Sequence, residues 1–336
     1  MSQYPPEWDT LEEEQPVIET EYQPSQEPPR PVRQAPPPQR RQQPSGRSGG
    51  NGLSRLTLAV SVLALILAGA ALFLTLKPEP EPEERPDVSE EEPVTFRFGD
   101  RIMTPLEGMP LNPYDRAGFS LDEKGRVTYE RDGIQAKTGV DVSTYQQEID
   151  WEAVADDGID FAILRLGYRG YTEGGLFPDQ TFQTNLRGAL DAGLDVGVYF
   201  FSQAITPQEA EEEADYILSA IEGYNITYPI AFDWEPISPG NDARTDGLDN
   251  DVLTQCAAAF CAKIEAAGYT PAVYFNQSLG YLRYDLRELT DSVLWLAEYD
   301  TKPDFYYCFD LWQYTHTGQV AGIKGDVDLD LDLRLG

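Results

Sequence analysis

Eight short apolar runs, following one another from residue 139 to the end of the chain, constrain its fold more than any other feature. They are "GVDVS" (139–143), "FAILRLG" (161–167), "VGVYFF" (196–201), "PIAFDWE" (229–235), "TPAVYF" (270–275), "SVLWLA" (292–297), "FDLWQY" (309–314) and "DVDLDL" (326–331). Runs of this length, rich in Val, Ile, Leu and aromatic residues, read as strands buried on both faces. Helical segments fit between the earlier ones, at 179–192, 207–222 and 249–267. The second opens at Thr206-Pro207, with proline where a first helical turn tolerates it. Strands alternating with helices over this length predict an α/β chain whose main part is an irregular (β/α)8-type barrel. The last connections are too short for full helices, so the closing part of the barrel is expected to be irregular.

The chain before residue 139 is of another kind. Residues 1–55 are rich in Pro, Gln, Glu and Arg, a composition that cannot bury enough surface to fold, and they are expected to be a disordered tail. Residues 56–76, "LTLAVSVLALILAGAALFLTL", carry no charge and are long enough to span a bilayer core as a helix. A buried core helix would show a polar face, and a cleaved signal peptide would lie nearer the start of the chain. The expectation is therefore a single transmembrane helix. Arginines precede it, whereas "PEPEPEERPDVSEEEP" follows soon after Lys77. The basic flank places the N-terminus in the cytoplasm and the remainder outside the cell. Residues 77–94 read as an acidic, proline-stiffened stalk. Residues 95–137 read as a short extension whose segment 118–130 forms a β-hairpin turning at Lys124-Gly125. The barrel is expected over 138–336.

Charge and composition narrow the chemistry. The formal net charge of −33 argues against nucleic acid as a partner. His316 is the lone histidine, which excludes a multi-histidine metal site and leaves a Ser-His-Asp triad possible only on paper. It is read as a loop residue at the rim. Cys256, Cys261 and Cys308 lack the spacing of a disulfide framework and read as small buried residues. A monomer is expected.

Carboxylates remain as the chemical resource. In a barrel, alternate side chains face the lumen and chemistry gathers at the C-terminal ends of the strands. Asp233 and Glu235, at i and i+2, would both face inward while Trp234 faces the helices. Asp141 lies near the end of the first strand, and Asp328 lies in the last, which neighbours the first once the barrel closes. Four acids from three strands then share one mouth, and they cannot all stay ionised comfortably. One protonated carboxyl beside a carboxylate is what glycosidic cleavage through an oxocarbenium-like transition state requires. Calcium binding is the main alternative for clustered carboxylates, and helix capping could account for Asp141 or Glu235 singly.

Taken in order, "GVDVSTYQQEIDW", "FAILRLGY", "GLDVGVYFFS", "PIAFDWE", "LWLAEY" and "WQYTHTGQVAGIKGDVDLD" resemble the glycoside hydrolase family 25 lysozymes, from about Gly139 to the C-terminus. The resemblance implies an irregular β/α barrel that cleaves the β-1,4 bond between N-acetylmuramic acid and N-acetylglucosamine in peptidoglycan. It implies Glu235 as general acid, Asp233 as its companion carboxylate, and Asp141 and Asp328 as the remaining acids of the site. It implies no cofactor and no metal. Peptidoglycan glycan strands would be the partner, and Tyr199, Trp312, Tyr314 and Tyr168 are aromatic candidates for stacking on sugar rings, Tyr199 and Trp312 first. Arg165 could face the lumen and counter the acids. One departure is visible: where the family usually has Gln-Gly, this chain has Gln146-Gln147. Two other readings stay open, a chitinase-like glycosidase and a non-catalytic wall-binding protein. The former expects a longer Asp-x-x-Asp-x-Asp-x-Glu run, and here Ile230, Ala231 and Phe232 stand before Asp233.

Overall fold

A computed structural model describes residues 94–237 and 242–334. The tail, the uncharged run at 56–76 and nearly all of the stalk lie outside the described residues, and among the described residues no helix is long and apolar enough to cross a membrane. Thr95–Gly336 belong to one compact unit.

Eight strands close into a ring: β1 (Lys137–Val142), β2 (Phe161–Arg169), β3 (Asp195–Ser202), β4 (Ile230–Trp234), β5 (Pro271–Asn276), β6 (Val293–Ala297), β7 (Leu311–Gly318) and β8 (Val327–Asp332). Each coincides with one of the eight runs read from the sequence. From β1 to β7 every neighbouring pair is parallel. Strand β8 runs antiparallel to both β7 and β1, because residues 319–326 are too few for the crossover a parallel return needs. The irregular closure is thus a reversed last strand.

Among the described residues, five α-helices decorate the ring: α1 (Trp151–Asp156), α2 (Phe182–Asp191), α3 (Pro207–Ala220), α4 (Asn250–Ala266) and α5 (Gln277–Leu282). Four of their starts are fixed by side-chain caps. Asp150, Thr206, Asp249 and Asn276 each accept a backbone N–H of the first turn, satisfying donors that have no partner within the helix. Strand residues alternate between two cores. Val140, Leu164, Val198, Phe232 and Trp234 belong to the outer one, whereas Phe161, Ile163, Ala231, Tyr274, Trp295 and Leu311 fill the lumen. At the floor of the lumen, Phe161 stacks on Tyr228 at 4.4 Å and the Tyr228 hydroxyl donates to Asp332 at 2.8 Å. Gly139 must be glycine here, since a Cβ would sit 2.1 Å from the Phe161 ring.

The extension replaces the helices that the last strands lack. Its hairpin, Phe119–Leu121 against Val127–Arg131, turns at Lys124-Gly125 as expected, with Gly125 at φ +79. Phe119 lies edge-on against Trp312 on β7 at 5.3 Å, and the Tyr114 hydroxyl donates to the Phe309 carbonyl at 2.7 Å. Arg126 and Lys124 both ion-pair with Asp157 beyond α1. Although burial opposes ionisation there, hydrogen bonds from Lys124, the Ala321 N–H and Arg126 hold the Asp157 carboxyl down to about 2. The three cysteines are free, Cys256 and Cys261 buried and Cys308 half-buried.

Candidate active site

A cavity of about 1140 Å³ opens at the C-terminal ends of the parallel strands. Asp141, Asp233, Glu235 and Asp328 all line it, so the structure brings the four sequence-derived acids together. The positions follow from parity: Asp141 ends the inward row of β1, and Asp233 and Glu235 continue that of β4. Asp328 reaches the same mouth from near the start of β8, because that strand runs backwards. In register it stands opposite Asp141.

Burial raises every one of these acids. The Glu235 carboxyl is pushed up to about 7 by burial alone, and Asp328 to about 9 by burial and then by the charge of Asp141. Asp233 is raised well above the usual range by burial, then by Glu235 and Asp141, with Arg165 opposing. Asp141 is raised by burial and by a fifth acid, Asp330, to which it is hydrogen-bonded. Two carboxyls in hydrogen-bond contact must hold a proton between them.

That proton is placed by a polar frame. The Trp295 indole N–H donates to Asp330 Oδ1 at 2.8 Å, and Gln313 Nε2 donates to Asp141 Oδ2 at 2.7 Å. The Gln313 amide is itself oriented, since its Oε1 accepts from the hydroxyls of Tyr274 and Tyr299, both at 3.0 Å. Arg165 is the one lysine or arginine among the described residues that line the cavity. It is bonded to buried Asp179 at 2.8 Å, and Asp179 also accepts from the Thr144 N–H, tying the loop after β1 to β2. Behind Glu235, the buried Gln203 donates to the Glu235 carbonyl at 2.9 Å and accepts from the Thr245 hydroxyl at 2.7 Å.

The aromatic candidates divide. Tyr199 lines the cavity. Trp312 and Tyr314 do not: they point outward from β7, fully buried against the hairpin, and the Trp312 indole donates to the Glu298 carbonyl. Their neighbour Gln313 takes the lumen side instead. Tyr168 is also off the cavity. A register shift in β2 between Arg165 and Gly167 sets it opposite Phe201, where it is buried and stacks on Phe177 at 5.4 Å. His316 lies on β7 rather than in a loop, and lines the cavity beside Tyr299. Asp330, Gln313, Tyr274 and Trp295 escaped the sequence reading. For Asp330 a signal existed, since it is i+2 from Asp328 on the same strand face. Among the described residues no group of three or more His, Cys, Asp or Glu is arranged to hold a metal ion.

The arrangement offers carboxyls that keep their protons near neutrality, Glu235 and Asp328 among them, beside further buried acids in one open cavity. Comparison with known proteins agrees in kind. The sequence profile of the family described as "Glycosyl hydrolases family 25" matches residues 140–323. The chain belongs to glycosyl hydrolase family 25. This family 25 chain is 30% identical over 224 residues to Lysozyme M1 of Streptomyces globisporus, covering 63% of its own length and 71% of that protein. Its structure resembles that of the modular autolysin LytC from Streptococcus pneumoniae, solved in complex with a synthetic peptidoglycan ligand. There the TM-score is 0.51 and identity 26%, over 66% of this chain and 57% of LytC. It also shares the fold of a family 25 glycosyl hydrolase from Bacillus anthracis, at TM-score 0.50 and 21% identity, over 61% of this chain and 92% of that one. The family 25 chain is a glycoside hydrolase built on a closed eight-stranded mixed barrel.

Proposed function

We propose that this protein is a muramidase that cuts the β-1,4 bond between N-acetylmuramic acid and N-acetylglucosamine in peptidoglycan. The observation that carries the reading is the carboxyl of Glu235, raised to about 7 in a cavity that Asp141, Asp233 and Asp328 also line. A carboxyl that keeps its proton near neutrality can deliver it to the departing glycosidic oxygen. Positive charge then develops at the anomeric carbon, where Asp233 is placed to stabilise it directly or through the substrate's 2-acetamido group. Asp141 and Asp330 hold one proton between them and set the charge at the back of the site. Tyr199 offers an aromatic face to a sugar ring. Lysozyme M1 and the peptidoglycan-bound LytC support the choice of substrate.

Anchoring belongs to the same proposal. The charge-free run at 56–76 would cross the membrane once, with the arginine-rich side in the cytoplasm and the enzyme outside. A tether over 77–94 reaches at most about 6 nm when fully extended. It would hold a strongly acidic enzyme near an anionic wall that does not attract it, by raising effective concentration.

Digestion of purified cell wall by the full chain tests the reading. Fragments should end in reducing N-acetylmuramic acid, and Glu235→Gln should abolish their release while the protein still folds and binds glycan. Reducing N-acetylglucosamine would mean the other linkage is cut, and unchanged lysis by Glu235→Gln would remove Glu235 as the acid. Recovery of the chain in the soluble fraction of its cell would overturn the anchor.

A further inference from the structure

One wall of the cavity is supplied from outside the family 25 match. Phe98, at the end of the short strand Phe96–Phe98 in the extension, lines the same cavity as the acids, although the matched segment begins at residue 140. Its ring is half-buried, so one part is free to meet a ligand. Its position is well braced. Phe98 packs on Tyr281 of α5 at 4.9 Å, while Phe96, two residues earlier, stacks on Tyr306 at 4.2 Å with rings 10° from parallel. The strand itself pairs with Arg101–Met103, and the Leu106 N–H is held by the Tyr307 hydroxyl at 2.8 Å.

Polar groups suited to hydroxyls stand on the same stretch of wall. Gln277 and Ser278, at the start of α5, line the cavity with Asp304, and Gln277 Nε2 donates to Asp304 Oδ1 at 2.8 Å. Gln277 and Tyr281 lie one helical turn apart, on one face of α5, so the residue that braces the Phe98 ring shares a helix face with the amide. An aromatic face flanked by an amide, a hydroxyl and a carboxylate matches the chemistry of a pyranose, which presents a C–H face and a rim of hydroxyls. The cavity also exceeds the roughly 300–1,000 Å³ usual for a single small ligand.

We propose that Phe98, with Gln277 and Asp304, forms an additional saccharide subsite that binds an N-acetylhexosamine ring of the glycan strand away from the cleaved bond. It rests on the reading of the protein as a muramidase only for the identity of the sugar. The extension is then part of the substrate groove as well as a cover for the barrel wall. Binding energy gathered at such a subsite favours long strands over short fragments.

The test measures glycan affinity in the full chain carrying Glu235→Gln, with and without Phe98→Ala, so that binding is read without cleavage. The probes are a long peptide-free glycan strand and a tetrasaccharide of two disaccharide repeats. Phe98→Ala should weaken the long strand about tenfold, as expected for truncating one aromatic anchor, and leave the tetrasaccharide unchanged, while Phe98→Trp restores affinity. Equal affinity for the long strand with and without Phe98→Ala would overturn the subsite, as would an equal loss for both probes. The muramidase reading fails separately, if the chain with Glu235 intact releases no reducing ends from wall.

Discussion

Asp328 faces Asp141 across the antiparallel pair that closes the barrel, so two acids from opposite ends of the domain sequence sit side by side at the mouth. The relationship exists because β8 is reversed. Its early residues reach the mouth, and its alternating acids then descend the inner wall: Asp328 at the cavity, Asp330 against Asp141 and Trp295, Asp332 at the floor with Tyr228 and Arg334. Charge along this strand is thus graded from raised, near-neutral carboxyls at the top to an ion-paired, lowered one at the bottom.

Stability should fall as pH rises above about 5. Glu235 and Asp328 carry folded-state values of about 7 and about 9, against unfolded values near 4. Between these limits the folded protein binds more protons than the unfolded one, and stability then decreases with pH. Groups of opposite sign, such as Asp157 at about 2, exert their effect below pH 4 and do not mask the decline. Denaturant midpoints measured from pH 5 to 9 should drop, and Glu235→Gln should make the drop shallower. A midpoint that rises over this range would contradict the raised carboxyls. Activity should fall on the alkaline side with a midpoint near 7, as Glu235 loses its proton.

Gln203 should matter to turnover without touching substrate. It bridges the Glu235 carbonyl and the Thr245 hydroxyl from a fully buried position. Gln203→Leu keeps the volume and leaves both partners unsatisfied, which costs about 1–3 kcal/mol of stability. The loosened Glu235 should lower kcat about ten- to a hundredfold with little change in KM. Steady-state kinetics beside a thermal melt separate the two effects, and an unaltered kcat would show that Glu235 is held by other means.

Trp312→Ala should cost about 3–5 kcal/mol of stability, as loss of a large buried aromatic does. The residue is 0% exposed, packed on Phe119 and bonded to the Glu298 carbonyl. The measurement is urea unfolding. A variant of unchanged stability that selectively loses glycan affinity would put Trp312 back in the groove.

The same residue shows what the sequence could and could not tell. The eight runs were legible because strands buried on both faces are continuously apolar, and the acids in "PIAFDWEP" marked which parity faces the lumen. In "FDLWQY" both parities are apolar or aromatic, so only Gln313 carried the signal, and a shift of one residue exchanges the two faces. Tyr168 stands three residues after lumen-facing Arg165, so alternation alone already argues against the cavity row, and the irregularity in β2 sets it opposite Phe201. The direction of β8 was legible in principle from the short 319–326 connection. The aromatic packing of the extension on β7 was not, since it joins residues nearly two hundred positions apart.

Gln147→Gly should stabilise the domain. Gln147 adopts φ 55 and ψ −127, a backbone conformation that favours glycine, at the end of the Thr144–Gln146 turn beside the cavity. Such a residue costs about 1–3 kcal/mol in strain, whereas glycine adds about 0.5–1 kcal/mol of unfolded-chain entropy. The net gain should be about 1 kcal/mol, visible as a higher denaturant midpoint. The turn is otherwise well satisfied, with Ser143 and Gln146 capping each other reciprocally. Gln146 itself lines the cavity, so releasing strain one residue away should also loosen its placement and shift substrate preference more than turnover. A variant less stable than the parent would mean that the Gln147 side chain makes up for its backbone.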